Sequence, residues 1–151
     1  MRCEKCKVNP SYHNFKLLGQ LHDGARVVYS CPAAAIEVCP TKEAFPEYIA
    51  HLEEASQYNW IWIVDCKGIQ SKNIPTLEVL KQMCETMQTR FIHKIVAVYL
   101  IQMDWRMHMV LNLIQPFLTP ITKKKIHTKD TLTNCLLSVS PETAHQLHAH
   151  L

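Results

Sequence analysis

Glycine is nearly absent, with three residues in a chain of 151. Neither a Gly-rich loop that cradles phosphates nor a Gly-x-Ser-x-Gly elbow is present, which sets aside the nucleotide-binding loops and the serine-hydrolase nucleophile. No apolar run approaches the roughly 20 residues that span a bilayer as a helix. The opening Met1-Arg2-Cys3-Glu4-Lys5-Cys6 also lacks the apolar stretch of a secretion signal. Charge is equally sparse: a formal net charge of +3, divided between runs such as Lys123-Lys124-Lys125 and Glu53-Glu54, supplies no basic face for nucleic acid. Seven cysteines is an odd number, and several fall in apolar segments, so they read as thiols of a reducing, cytoplasmic compartment rather than as a disulfide framework. A nucleophilic cysteine would need one base held beside it, and nine histidines single out no such pair. The expectation is a binding protein rather than an enzyme.

What is present is an ordinary globular balance, 48% hydrophobic and 19% charged residues, at the length of one domain. Residues 1–23 read as a polar, irregular N-terminal extension carrying the Cys-x-x-Cys pair, and residues 24–151 as the domain proper. Ala25 to Ser30 is a short β-like run. Ala44, Phe45, Tyr48, Ile49, Leu52 and Ala55 then recur at helical spacing, with Glu53 and Glu54 turned to water. Asn59 to Val64 and Ile95 to Ile101 are too continuously apolar for strands with one wet face, and between them Leu77 to Met87 outlines an amphipathic helix. Strand, helix, strand in that order implies a right-handed crossover and parallel pairing. A brief strand around Lys125 to His127 and two short closing helices, Thr131 to Val139 and Pro141 to His150, complete an α/β reading.

Cys3 and Cys6 have the two-residue spacing with which a turn presents two thiolates to zinc. His13, His22, Cys31 or Cys39 are the candidates to complete a tetrahedron, and free thiols are the alternative. His145, His148 and His150 can share a face of the last helix, or simply belong to a polar terminus.

The most specific segment is Trp105 to Leu118, where a helix would be apolar nearly all round. Such a helix is either wrapped by protein or borders a cavity or membrane, and its methionines suit a surface that repacks. Around it stand three blocks. Asp65-Cys66-Lys67-Gly68 after an apolar strand resembles the Asp-x-x-Gly of CRAL-TRIO domains, and Gln115-Pro116-Phe117-Leu118 followed by Thr122-x-x-Lys125-Ile126 resembles that family's Lys-Pro-Phe-Leu and Thr-x-x-Lys-Ile. The resemblance covers about Gly24 to Val139.

The resemblance implies a mixed, mostly parallel sheet as the floor of a hydrophobic pocket, covered by helices, with Trp105 to Leu118 as its lid. It further implies binding of a phospholipid or phosphoinositide, with transfer or presentation at a transiently contacted membrane. On that basis Trp60, Trp62, Val64, Trp105, Met109, Leu113 and Phe117 are expected at the pocket. In family members that hold phosphatidylinositol a lysine of the Thr-x-x-Lys-Ile block meets the phosphate, which points to Lys125, with Lys124 beside it. His93 stands where the family has a glutamate for inositol hydroxyls. The family's N-terminal helical tripod and its Leu-Pro-x-x-x-Gly-Gly close are absent, a shortening also similar to the divergent branch that serves as a scaffold for a small GTPase or another protein.

Overall fold

The two most continuously apolar strands require cover on both faces, and they take the centre of the sheet. The computed structural model describes residues 3–37 and 40–151. Its strands are β1 (Phe15–Gln20), β2 (Arg26–Ser30), β3 (Trp60–Asp65), β4 (Ile95–Ile101) and β5 (Ile126–Lys129). They lie in the order β1-β2-β3-β4-β5. β1 pairs antiparallel with β2, and every later pair is parallel, so the sheet is mixed and mostly parallel as expected.

The helices are α1 (Glu4–Val8), α2 (Phe45–Ala55), α3 (Leu77–Thr86), α4 (Trp105–Ile114), α5 (Pro120–Lys125), α6 (Leu132–Val139) and α7 (Ala144–His148). Strand alternation divides the core between the two faces. On one, Val28, Trp60 and Val98 pack with Phe45, Tyr48 and Leu52 of α2 and with Met87 and Phe91 beyond α3. On the other, Leu18, Val27, Ile63 and Ile101 pack with Cys135 and Leu136 of α6 and Leu147 of α7. At Gly19 an added Cβ would stand 2.8 Å from Leu147 Cδ2, so the absence of a side chain is what lets α7 close on β1.

Residues 15–20 correct the expectation of an irregular extension. They form an edge strand, and the 23/24 boundary falls inside the hairpin turn, where Leu21 N–H donates to the Ala25 carbonyl at 2.8 Å. Only Leu18 of β1 is buried, so the strand carries a weak hydrophobic signature although it belongs to the sheet.

The exit from β3 explains the Asp-x-x-Gly block. Asp65 is buried; its Oδ1 accepts from Lys67 N–H at 2.9 Å and its Oδ2 from Tyr29 O–H at 2.7 Å. Gly68 adopts φ +74°, a conformation open to glycine at little steric cost.

Candidate functional site

A cavity of about 220 Å³ lies on the α2–α3–α4 side of the sheet. Its floor is Trp62 and Val64 of β3 with Val98 and Leu100 of β4. Leu80 and Met83 of α3, with Met87, make a side wall, and Phe15, Tyr48 and His51 close one end. Met107, Val110, Leu111 and Ile114 of α4 form the roof. Among the described residues that line it, none is lysine, arginine, aspartate or glutamate. The floor indole is already satisfied, since Trp62 Nε1 donates to Ser30 Oγ at 2.9 Å. The interior therefore offers dispersion and exclusion of water, and almost no polar recognition.

The structure divides the residues expected at the pocket. Trp62 and Val64 line it. Trp60 does not. It is fully buried at the far end of the same strand face, its Nε1 donates to Ser56 Oγ at 3.1 Å, and its ring lies 5.5 Å from that of Trp62. It supports the floor instead of paving it. Trp105, Met109, Leu113 and Phe117 are on the outer side of the lid segment, 66%, 55%, 54% and 41% exposed. The reason is helical phase: a helix that is apolar all round gives no phase from hydrophobicity alone. The missed signal was the polar pair His108 and Asn112, which are exposed beside Trp105 and Met109 and mark the water side. The roof residues lie opposite.

α4 consequently presents apolar side chains in both directions and has no buried residue. Its N-terminus is capped by Asp104, whose Oδ1 accepts from Arg106 and Met107 N–H at 3.0 and 3.1 Å. Polar contacts flank it at both ends. Gln102, at φ +53°, donates through Nε2 to Asp65 Oδ2 at 3.3 Å. Beyond the C-terminal end, the Gln88 carboxamide donates to the Phe117 carbonyl at 2.9 Å and accepts from Thr119 N–H at 2.6 Å. The Lys81 ammonium stands 4.6 Å from the centre of the Phe117 ring.

None of the residues expected at a headgroup lines the cavity. Lys125 turns inward, where Nζ donates to the carbonyls of Ile92 and Ile95, both at 2.7 Å, tying the end of α5 to the start of β4. Lys124 and His93 are exposed.

At the closed end of the cavity, Cys3 and Cys6 do meet His13, together with His51 of α2. All four are buried, and their ligand atoms lie within 4.8 Å of one another. His51 escaped the sequence reading because it sits on the apolar face of α2, between Tyr48 and Leu52. Its polarity in that position was the available signal. Two other candidates stand elsewhere: Cys31 Sγ is directed at the Lys67 carbonyl at 4.0 Å, and His22 is exposed beside Glu142 at 3.8 Å. Cys39 lies outside the described residues.

Among the described residues no helix is long and apolar enough to cross a membrane. No curated protein matches the sequence. Among solved structures, the crystal structure of Sfh5 is similar with a TM-score of 0.63 at 14% identity, over 80% of this chain and 50% of that one. The chain thus spans about half the length of that protein, and at this identity the likeness concerns the fold. Residues 12–147 match the CRAL/TRIO domain, and with the mixed sheet, the Asp65–Gly68 turn and the helix-roofed apolar cavity now described, the chain belongs to this family of lipid-binding proteins.

Proposed function

We propose that this protein binds a hydrophobic lipid in the cavity beneath α4 and exchanges it at a membrane surface without covalent chemistry. The observation that carries the reading is a pocket without charged lining, roofed by a helix that is apolar inside and out. A cavity of about 220 Å³ exceeds the ~150 Å³ that accepts a benzene-sized guest and falls short of the roughly 300–1,000 Å³ usual for drug-sized ligands. At that volume it suits one acyl chain or a compact apolar molecule. A two-chain phospholipid such as phosphatidylinositol requires α4 to lift, with Gln102 and the Gln88 clasp as the natural pivots. In the lifted state the outer residues Trp105, Met109 and Leu113 insert at the acyl boundary, and the exposed Lys123 and Lys124 meet lipid phosphates outside the pocket.

An interaction scaffold with a pocket filled by side chains is the alternative for so short a domain. The open cavity favours the lipid binder. Leu111→Trp, which adds bulk to the roof, tests this with a fluorescent fatty-acid probe. The variant is expected to keep native circular dichroism and to lose probe affinity by about tenfold or more, the scale of a blocked apolar contact worth ~1.4 kcal/mol. Unchanged probe binding in a folded variant would place the ligand elsewhere.

A further inference from the structure

Four buried ligating groups converge at the closed end of the cavity: Cys3 and Cys6 at the start of α1, His13 just before β1, and His51 in α2. His13 Nδ1 lies 3.5 Å from Cys3 Sγ, 3.4 Å from Cys6 Sγ and 3.1 Å from His51 Nε2, while Cys6 Sγ lies 3.5 Å from His51 Nε2. With Zn–S near 2.3 Å and Zn–N near 2.05 Å, a tetrahedral centre has S···N edges of about 3.5 Å and N···N edges of about 3.3 Å. The spacings fit those edges. In a neutral imidazole one nitrogen carries hydrogen and the other a lone pair. His13 Nε2 faces carboxylates, Glu47 Oε2 at 3.2 Å and Glu37 Oε2 at 3.5 Å. The hydrogen therefore belongs on Nε2 and the lone pair on Nδ1. A single in-plane lone pair cannot serve two sulfurs and a ring nitrogen together, whereas a central cation takes one pair from each of the four atoms.

We propose that Cys3, Cys6, His13 and His51 bind one zinc ion through Sγ, Sγ, Nδ1 and Nε2. Two thiolates and two imidazoles form a borderline-soft set that suits Zn²⁺ and discriminates against Mg²⁺ and Ca²⁺. Four protein ligands close the site, which makes its role structural. Glu37 and Glu47 form the outer shell: their carboxylates stand 3.5 and 3.2 Å from His13 Nε2, without hydrogen-bond geometry, and their charge favours the ring hydrogen on that nitrogen and so the lone pair of Nδ1 toward the metal. The second candidate group, His13 with Glu37 and Glu47, is a poor cation site because the Lys5 ammonium already contacts both carboxylates, at 2.5 and 3.1 Å.

The ion supplies what the local sequence lacks. α1 has five residues, far below the ~12–15 at which a helix is even marginally stable alone. Zinc ties it to the entry of β1 and to α2. Because His13 and His51 also line the cavity, the same ion holds the closed end of the lipid pocket rigid.

The test uses the whole 151-residue chain without a tag. Metal analysis after purification is expected to find about one zinc per chain, as a four-ligand site of this type holds its ion tightly. Cobalt added to the chelator-stripped protein should give the intense visible spectrum of tetrahedral Co²⁺ with thiolate charge-transfer bands, and zinc should abolish it. Cys6→Ser with His51→Ala should remove both signals, whereas the His145→Ala/His148→Ala/His150→Ala protein should retain them. Glu47→Gln should weaken zinc by roughly 10- to 100-fold, the usual scale for an outer-shell partner. Absence of zinc together with a featureless cobalt titration of the folded wild type would overturn the proposal, as would loss of binding in the C-terminal histidine variant. The cobalt titration needs no variant to fold.

Discussion

If the outer face of α4 is the surface that enters a membrane, replacing Trp105, Met109 and Leu113 together by serine should abolish vesicle binding without unfolding the protein. Fully burying one large apolar side chain stabilises by about 1.5–3 kcal/mol. These three retain 66%, 55% and 54% exposure, so just over half of that value is still available at each. The sum is about 3–5 kcal/mol. At 1.4 kcal/mol per decade, the triple variant should bind vesicles about 10²- to 10⁴-fold more weakly. Because the three side chains stand outside the cavity and α4 buries none of its residues, folding stability should change little. Co-sedimentation with phosphatidylcholine vesicles containing phosphatidylserine gives the affinity, and circular dichroism checks the fold. A folded variant that binds within about twofold of the wild type, below ~0.5 kcal/mol, would refute this assignment of the outer face.

The two floor-strand tryptophans should separate in their effects. Trp60→Ala empties a fully buried site and is expected to cost about 3–5 kcal/mol in denaturant unfolding; Trp62→Ala, at a position already bordering a cavity, should cost less and admit a bulkier probe. Equal destabilisation by both would contradict their placement. Alkaline stability should be limited by buried neutral groups. Burial pushes the thiols of Cys66 and Cys135 from 9.0 up to about 12, and burial followed by the bond to Asp65 raises the Tyr29 phenol as well. These groups favour folding below the unfolded thiol range and lose that contribution as pH rises through about 9 to 12. The guanidinium midpoint should therefore fall between about pH 8 and about pH 10.5; a constant or rising midpoint counts against it.

Much of the architecture was legible because each signal was local. The apolar runs of β3 and β4 demanded the sheet centre, the spacing within α2 and, apart from the exposed Leu77, within α3 marked their inner faces, and Asp65 and Gly68 sat where a strand-end turn needs a buried acceptor and a positive φ. β1 was lost because an edge strand that buries one leucine carries too little alternation to rise above its polar flanks. The face of α4 was misassigned for the opposite reason, an excess of apolar residues. Lys125 matched its block, yet the block alone could not say that the ammonium would turn to the carbonyls of Ile92 and Ile95. The metal candidates were half visible. Cys-x-x-Cys is a spacing within one turn, while the convergence of His13 and His51 on it is tertiary, with the His51 ring of α2 4.9 Å from that of Phe15 at the start of β1.

The apolar cavity under α4 should hold a lipid in the isolated protein. Native and denaturing mass spectrometry of the protein purified without added lipid, and again after incubation with mixed-lipid vesicles, tests it most directly. A near-stoichiometric lipid adduct that dissociates on denaturation and is missing from Leu111→Trp is the expected result. A wild-type protein that is empty as purified and takes nothing from the vesicles would contradict it and leave the scaffold reading in its place.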